Sequence, residues 1–165
     1  CEDVITVDLA SAFVNSDVEG TELANFNSII DLAAEHLASF QGYLNLDGLT
    51  ELSDAAAESL SKHKGELGLD GLTELSDVAA ANLSKHKGDL DLSGLKELSD
   101  AAAESFSKHK SDLKLTGLTA ITDTAAESLA KKQPKFESWL ITLDNLPGST
   151  VKILRDAGHG VFRLR

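Results

Sequence analysis

Apolar residues return to the same positions every 23 residues over most of this chain. Four regular copies read "GYLNLDGLTELSDAAAESLSKHK" (42–64), "GELGLDGLTELSDVAAANLSKHK" (65–87), "GDLDLSGLKELSDAAAESFSKHK" (88–110) and "SDLKLTGLTAITDTAAESLAKKQ" (111–133). A worn copy, "GTELANFNSIIDLAAEHLASFQ", precedes them. It keeps Leu23, Phe26, Ile29, Ala33, Ala34 and Leu37 in register with Leu46, Leu49, Leu52, Ala56, Ala57 and Leu60. A divergent copy begins at Trp139. Self-similarity at this period marks a stack of supersecondary units, each unable to bury its apolar face alone. The chain therefore divides, within one domain, into an N-terminal cap (1–19), a degenerate repeat (20–41), four regular repeats (42–133) and a divergent C-terminal repeat with cap (134–165).

Each copy has a physical reading. "LNL" at 44–46 alternates apolar and polar, the period of a short strand. Gly48 punctuates a turn, and Leu49 and Leu52 continue inward. Ser53 or Asp54 supplies an N-cap oxygen. "AAAESLSKHK" then predicts a helix of about ten residues, with Ala56, Ala57 and Leu60 on one face. Lys62, His63 and Lys64 sit at its negative end, and Gly65 serves as a C′ stop. A helix this short holds only when packed on neighbours. Stacked strands prefer about 4.8 Å and stacked helices about 8–10 Å, so the stack bends with its strands on the concave side. At the ends, "DVITVDLASAF" predicts a strand and a short helix. "WLITLDNL" predicts a strand, "STVKILRDAGHG" a last helix, and "VFRLR" a terminal strand with Arg163 and Arg165 outward. Pro134 stops the fourth regular helix, and "QPKFES" is an inserted loop.

The pattern L-x-L-x-G-L-x-x-L-S-D-x-A-A-x-x-L resembles leucine-rich repeat proteins, in particular the short bacterial repeats of about 23 residues. The resemblance covers roughly residues 20–146. It implies an α/β solenoid with a curved parallel sheet inside and short helices outside, and a surface that binds another protein. One position departs from the family. Where its commonest pattern places asparagine, this chain has Leu49, Leu72, Leu95 and Leu118, so the family's asparagine ladder is absent. The turn backbone must find other partners, Thr50, Thr73 and Thr119 among them.

Alternation along the strands sets three outward columns. They are Tyr43, Glu66, Asp89 and Asp112; Asn45, Gly68, Asp91 and Lys114; and Asp47, Asp70, Ser93 and Thr116. Six of these twelve are acidic and one is basic. Like charges on adjacent strands repel, so the column is either a solubilising surface or a face for a basic partner. Tyr43, the one aromatic among them, is the natural anchor. The candidate partner-binding set is Tyr43, Asn45, Asp47, Glu66, Asp70, Asp89, Asp91, Asp112 and Lys114.

Composition narrows the partners. The net charge is −12, which argues against nucleic acid, whose phosphates call for Lys and Arg. The charge is uneven, acidic over 1–41 and mildly basic over 134–165. No apolar run reaches the ~18 residues of a membrane helix. The one cysteine, Cys1, excludes an intramolecular disulfide framework. It stands first in the sequence, which leaves two readings open: a fragment boundary, or a processed lipoprotein whose cysteine is lipidated. Only the second attaches the chain to a membrane and favours an extracytoplasmic or cell-envelope location.

Chemistry finds little purchase. His63, His86 and His109 stand on successive helices about 9 Å apart. Two ligands of one zinc must each lie within about 2.1 Å of the metal, so no metal site is expected. These histidines are expected instead at a solvated helix terminus. A Ser-His-Asp triad would draw Asp54 and His63 from opposite ends of one helix, about 13 Å apart. Cys1 has no evident base partner, and no phosphate-binding loop or HExxH motif occurs. The expectation is a non-enzymatic protein-binding module without cofactor. The alternative is a structural accessory subunit or assembly factor of a larger complex.

Overall fold

A computed structural model describes residues 3–16, 20–131, 139–141 and 143–158. Among them are seven α-helices and nine two-residue strands, all of whose pairings are parallel. The strands are β1 (Val4–Ile5), β2 (Ser28–Ile29), β3 (Leu44–Asn45), β4 (Leu67–Gly68), β5 (Leu90–Asp91), β6 (Glu97–Leu98), β7 (Leu113–Lys114), β8 (Ala120–Ile121) and β9 (Trp139–Leu140). The helices are α1 (Val7–Val14), α2 (Asp31–Leu37), α3 (Asp54–Leu60), α4 (Asp77–Leu83), α5 (Asp100–Phe106), α6 (Asp123–Ala130) and α7 (Gly148–Asp156).

The main sheet runs β3-β4-β5-β7-β9. Its register carries Leu44 onto Leu67, Leu90 and Leu113, one repeat at a time. Leu113 then faces Trp139, so the divergent copy inserts three residues before its strand. Two further pairs form outside it, β6 with β8 and, nearer the N-terminus, β1 with β2. Each helix packs on the next, from α1 through α7.

The worn copy departs from the repeat. Where the others begin a strand, residues Gly20–Asn25 form a 3₁₀ turn. Thr21 occupies the position of Leu44, so the apolar alternation that anchors a strand between layers is missing there. Leu23 of that segment is buried in the core. The main sheet accordingly starts at β3.

Leu44, Leu46, Leu49, Ala56, Ala57 and Leu60 are all fully buried, as are their counterparts in the next two repeats, apart from traces of exposure at Leu90 and Ala102. Each buried leucine contributes about 1.5–3 kcal/mol. One core joins Ile5 to Leu154 without a break. The alanines bring each helix close to the sheet, which is why Leu and Ala, rather than larger residues, fill the middle of every copy.

The helices are shorter than the pattern predicts. α3 ends at Leu60, with Ser61 as its C-cap, and "SKHK" forms a turn beyond it. Ser53 is the N-cap: its hydroxyl accepts from the Ala56 amide at 3.0 Å. Asp54 does different work. Its carboxylate accepts from the Ser76 hydroxyl of the following repeat, as Asp31 does from Ser53, Asp77 from Ser99 and Asp100 from Thr122. This Ser/Thr–Asp ladder ties the helix starts of neighbouring repeats together. The turn edge has its own links. Thr50 donates its amide and hydroxyl to the Asn27 carbonyl (3.0 and 3.3 Å), and Thr119 likewise to Lys96 (2.9 and 3.2 Å). The Lys96 amide donates to the Thr73 carbonyl at 3.3 Å.

At the chain ends, β1, α1, β9 and α7 occupy the segments expected to hold them. Cys1, Pro134 with the whole "QPKFES" insertion, the Gly-His-Gly stop beyond Gly158 and the terminal "VFRLR" lie outside the described residues.

Candidate functional site

The outward columns of the main sheet collect most of the expected residues around one glycine. Gly68 is buried in β4. A Cβ there would lie 2.6 Å from an Asp47 carboxylate oxygen and 2.8 Å from the Tyr43 hydroxyl. The missing side chain thus lets Tyr43 and Asp47 lean together across β4. Tyr43 remains 38% exposed, one of few large apolar groups left open to solvent among the described residues. Lys114 reaches back over the sheet to Asp91 (3.1 Å) and Glu66 (3.8 Å). These pairs are part-exposed, so each is worth no more than about 1 kcal/mol.

The side-chain oxygens also organise the backbone. Asn45 Oδ1 accepts from the Asp47 amide (3.0 Å), and Asp47 Oδ1 from the Asp70 amide (3.1 Å). Asp91 Oδ1 accepts from the Ser93 amide (3.1 Å), and Asp89 Oδ1 from the Asp112 amide (3.1 Å). Electrostatics follow the crowding. Burial raises the Tyr43 phenol, and Asp47, Glu66 and Asp91 push it further up. Burial also raises Asp70, with Asp91 and Asp47 adding repulsion. The hydrogen bond to Asp91 holds Lys114 above its ordinary value. The structure therefore brings Tyr43, Asp47, Glu66, Asp70, Asp91 and Lys114 into one electrostatic group. Asp89 and Asp112 form a separate pair beside it. Cys1 lies outside the described residues.

The histidines overturn the sequence expectation. His63, His86 and His109 are not solvated: they are 1%, 2% and 2% exposed. Their rings stack nearly parallel, with centroids 6.0 Å apart for His63–His86 and 6.4 Å for His86–His109. That is closer than the ~8–10 Å spacing of packed helices. Phe40, one period before His63, extends the column at 6.4 Å, and Phe13 packs on Phe40 at 4.8 Å.

Each imidazole holds a neighbouring turn. His63 Nε2–H donates to the Gly42 carbonyl at 2.9 Å, and His86 Nε2–H to the Gly65 carbonyl at 3.0 Å. His109 turns its Nδ1 toward the Ser84 carbonyl at 3.3 Å. Burial holds the His63 and His86 imidazoles below their ordinary value, so both are neutral at pH 7. Their Nδ1 atoms are buried without a hydrogen-bond partner, a state a neutral, unprotonated ring nitrogen tolerates better than a charged N–H would. Gly65 also has a different role from the expected C′ stop. A Cβ on it would lie 1.8 Å from the Gly42 carbonyl oxygen. It is glycine because two turns touch there.

Among the described residues, no three His, Cys, Asp or Glu side chains converge as a metal site. No helix among them is long and apolar enough to cross a membrane. The chain matches no protein-family model, and no curated protein or solved structure is significantly similar to it.

Proposed function

We propose that the chain is a leucine-rich-repeat solenoid whose strand face, concave in that architecture, captures a protein partner with a basic surface. The observation that carries this reading is the group around Gly68. Tyr43 stands exposed beside Asp47, Glu66, Asp70 and Asp91, with Lys114 reaching over to Asp91 and Glu66. An aromatic anchor within a field of one sign supplies both a hot spot and steering for an oppositely charged surface. The inward positions repeat from copy to copy while these outward ones differ. That division is what a scaffold carrying one specific surface requires. The reading is non-enzymatic and calls for no cofactor.

The test is charge reversal. Glu66→Lys, Asp89→Lys and Asp91→Lys together are expected to abolish capture of the partner co-purified from the native source, with thermal stability retained. Undiminished capture by the triple variant refutes the strand face as the binding surface.

A second reading, an accessory subunit of a larger complex, draws on the helices. Leu32 in α2 and Val78 in α4 occupy the same repeat position and are 61% and 54% exposed. Co-purification at fixed stoichiometry that Leu32→Ser and Val78→Ser disrupt would favour it over the strand face.

A further inference from the structure

The turns after α4 and α5 enclose a groove of about 590 Å³ on a different flank from the acidic strand face. Ala81 and Ser84 line one wall, and Lys85, Lys87, Lys108 and Lys110 surround it. The charge there is opposite to that of the chain as a whole, which carries −12. At physiological salt a surface charge is felt over about 8 Å, so the local sign governs what approaches.

One departure from the repeat opens this groove. Copies one, three and four carry glutamate four residues before the first lysine of the turn: Glu58, Glu104 and Glu127. Glu58 pairs with Lys62 at 3.6 Å and Glu104 with Lys108 at 3.1 Å. The second copy has Ala81 instead. Lys85 is left with a neutral partner, the Asn82 side-chain oxygen at 3.0 Å. The substitution removes both a carboxylate and its bulk from the wall, leaving a methyl group flanked by lysine stems.

We infer that this groove binds an acidic polysaccharide, a chain of sugars bearing sulfate or carboxylate groups. Two features select that class. The lysines recur in two columns along the stacked turns, matching a ligand whose charges repeat. The bed between them is apolar, formed by Ala81 and the lysine stems, which suits the C–H face of a sugar ring. Nucleic acid fits less well. The rings of this flank, His86 and His109, are buried in their own stack and offer no platform to a base.

The experiment is titration calorimetry of the full chain at low salt with three probes matched in charge: a heparin-derived oligosaccharide, inorganic polyphosphate and oligo-dT. The heparin oligosaccharide is expected to bind most tightly, and to weaken as salt rises. Lys85→Ala, Lys87→Ala, Lys108→Ala and Lys110→Ala combined should cost about tenfold or more in affinity. Ala81→Glu restores the residue of the other copies without touching a lysine, so it preserves the fold. It should weaken binding about threefold or more by returning a carboxylate to the wall. The strand-face triple variant should bind the oligosaccharide undiminished, which separates this site from the proposed protein-binding surface. Equal or tighter binding of polyphosphate or oligo-dT overturns the polysaccharide assignment. Absence of binding, or binding that survives both the lysine and the Ala81→Glu changes, overturns the site.

Discussion

Acidification should loosen this protein through two histidines, and the size of the effect follows from their burial. His63 and His86 are neutral in the folded chain, with imidazoles held below the ordinary value of 6.5, chiefly by desolvation. In the unfolded chain each regains that ordinary value. Just below pH 6.5 the unfolded state therefore binds more protons than the folded one, and stability falls as pH falls. Above 6.5 the contribution is fully present; it is lost progressively down to the folded-state value, below which it no longer changes. Each histidine supplies at most about 1.4 kcal/mol per pH unit, so the pair supplies about 2.7. Their rings lie 6.0 Å apart. Two imidazolium charges at that distance repel by about 3 kcal/mol at an effective dielectric near 20, so the second protonation is harder than the first. Against a total stability of about 5–15 kcal/mol for a domain, one pH unit is a large perturbation.

The assay is urea unfolding at pH 7.5, 6.5 and 5.5 for the parent chain and for His86→Gln. Glutamine is neutral throughout and retains an N–H for the Gly65 carbonyl. The variant should lose up to about 1.4 kcal/mol per pH unit from the slope below pH 6.5. Asp70, raised by burial, acts in the opposite sense at lower pH, but it is common to both proteins and cancels in the comparison. Parallel pH curves for parent and variant would refute a neutral, buried His86.

Other expectations concern the scaffold. Gly65→Ala drives a methyl group into the Gly42 carbonyl, 1.8 Å from the new Cβ, and should cost about 2–3 kcal/mol in urea unfolding. Gly148→Ala, with nothing within 4 Å, should change stability by less than about 0.5 kcal/mol in the same measurement. Ser76→Ala removes the cap on the Ala79 amide (3.0 Å) and the rung to Asp54. It should cost about 1–2 kcal/mol, whereas Ser76→Thr, which keeps the hydroxyl as Thr122 does, should cost less than half of that.

The sequence determined the repeat and its inward face. A fixed period of 23 places Leu44, Leu67, Leu90 and Leu113 in lateral register, and that register is what the sheet shows. Apolar burial depends on spacing along the chain, so it is legible there. The outward acidic columns were equally legible, since strand alternation alone assigns them. Tertiary structure decided the rest. "SKHK" reads as a charged, solvated helix end, yet its histidine turns inward while its lysines stay out, because adjacent turns approach closely enough for each imidazole to meet a carbonyl one repeat away. Ser53 and Asp54 both read as possible caps; Ser53 takes that role, and Asp54 serves as a rung between repeats. Gly68 reads as a gap in a column and proves to be the space into which Tyr43 and Asp47 lean. All three depend on contacts between residues about one period apart, which exist only once one turn lies against the next. A linear pattern records which face a side chain takes; the distance between stacked copies decides what that side chain touches.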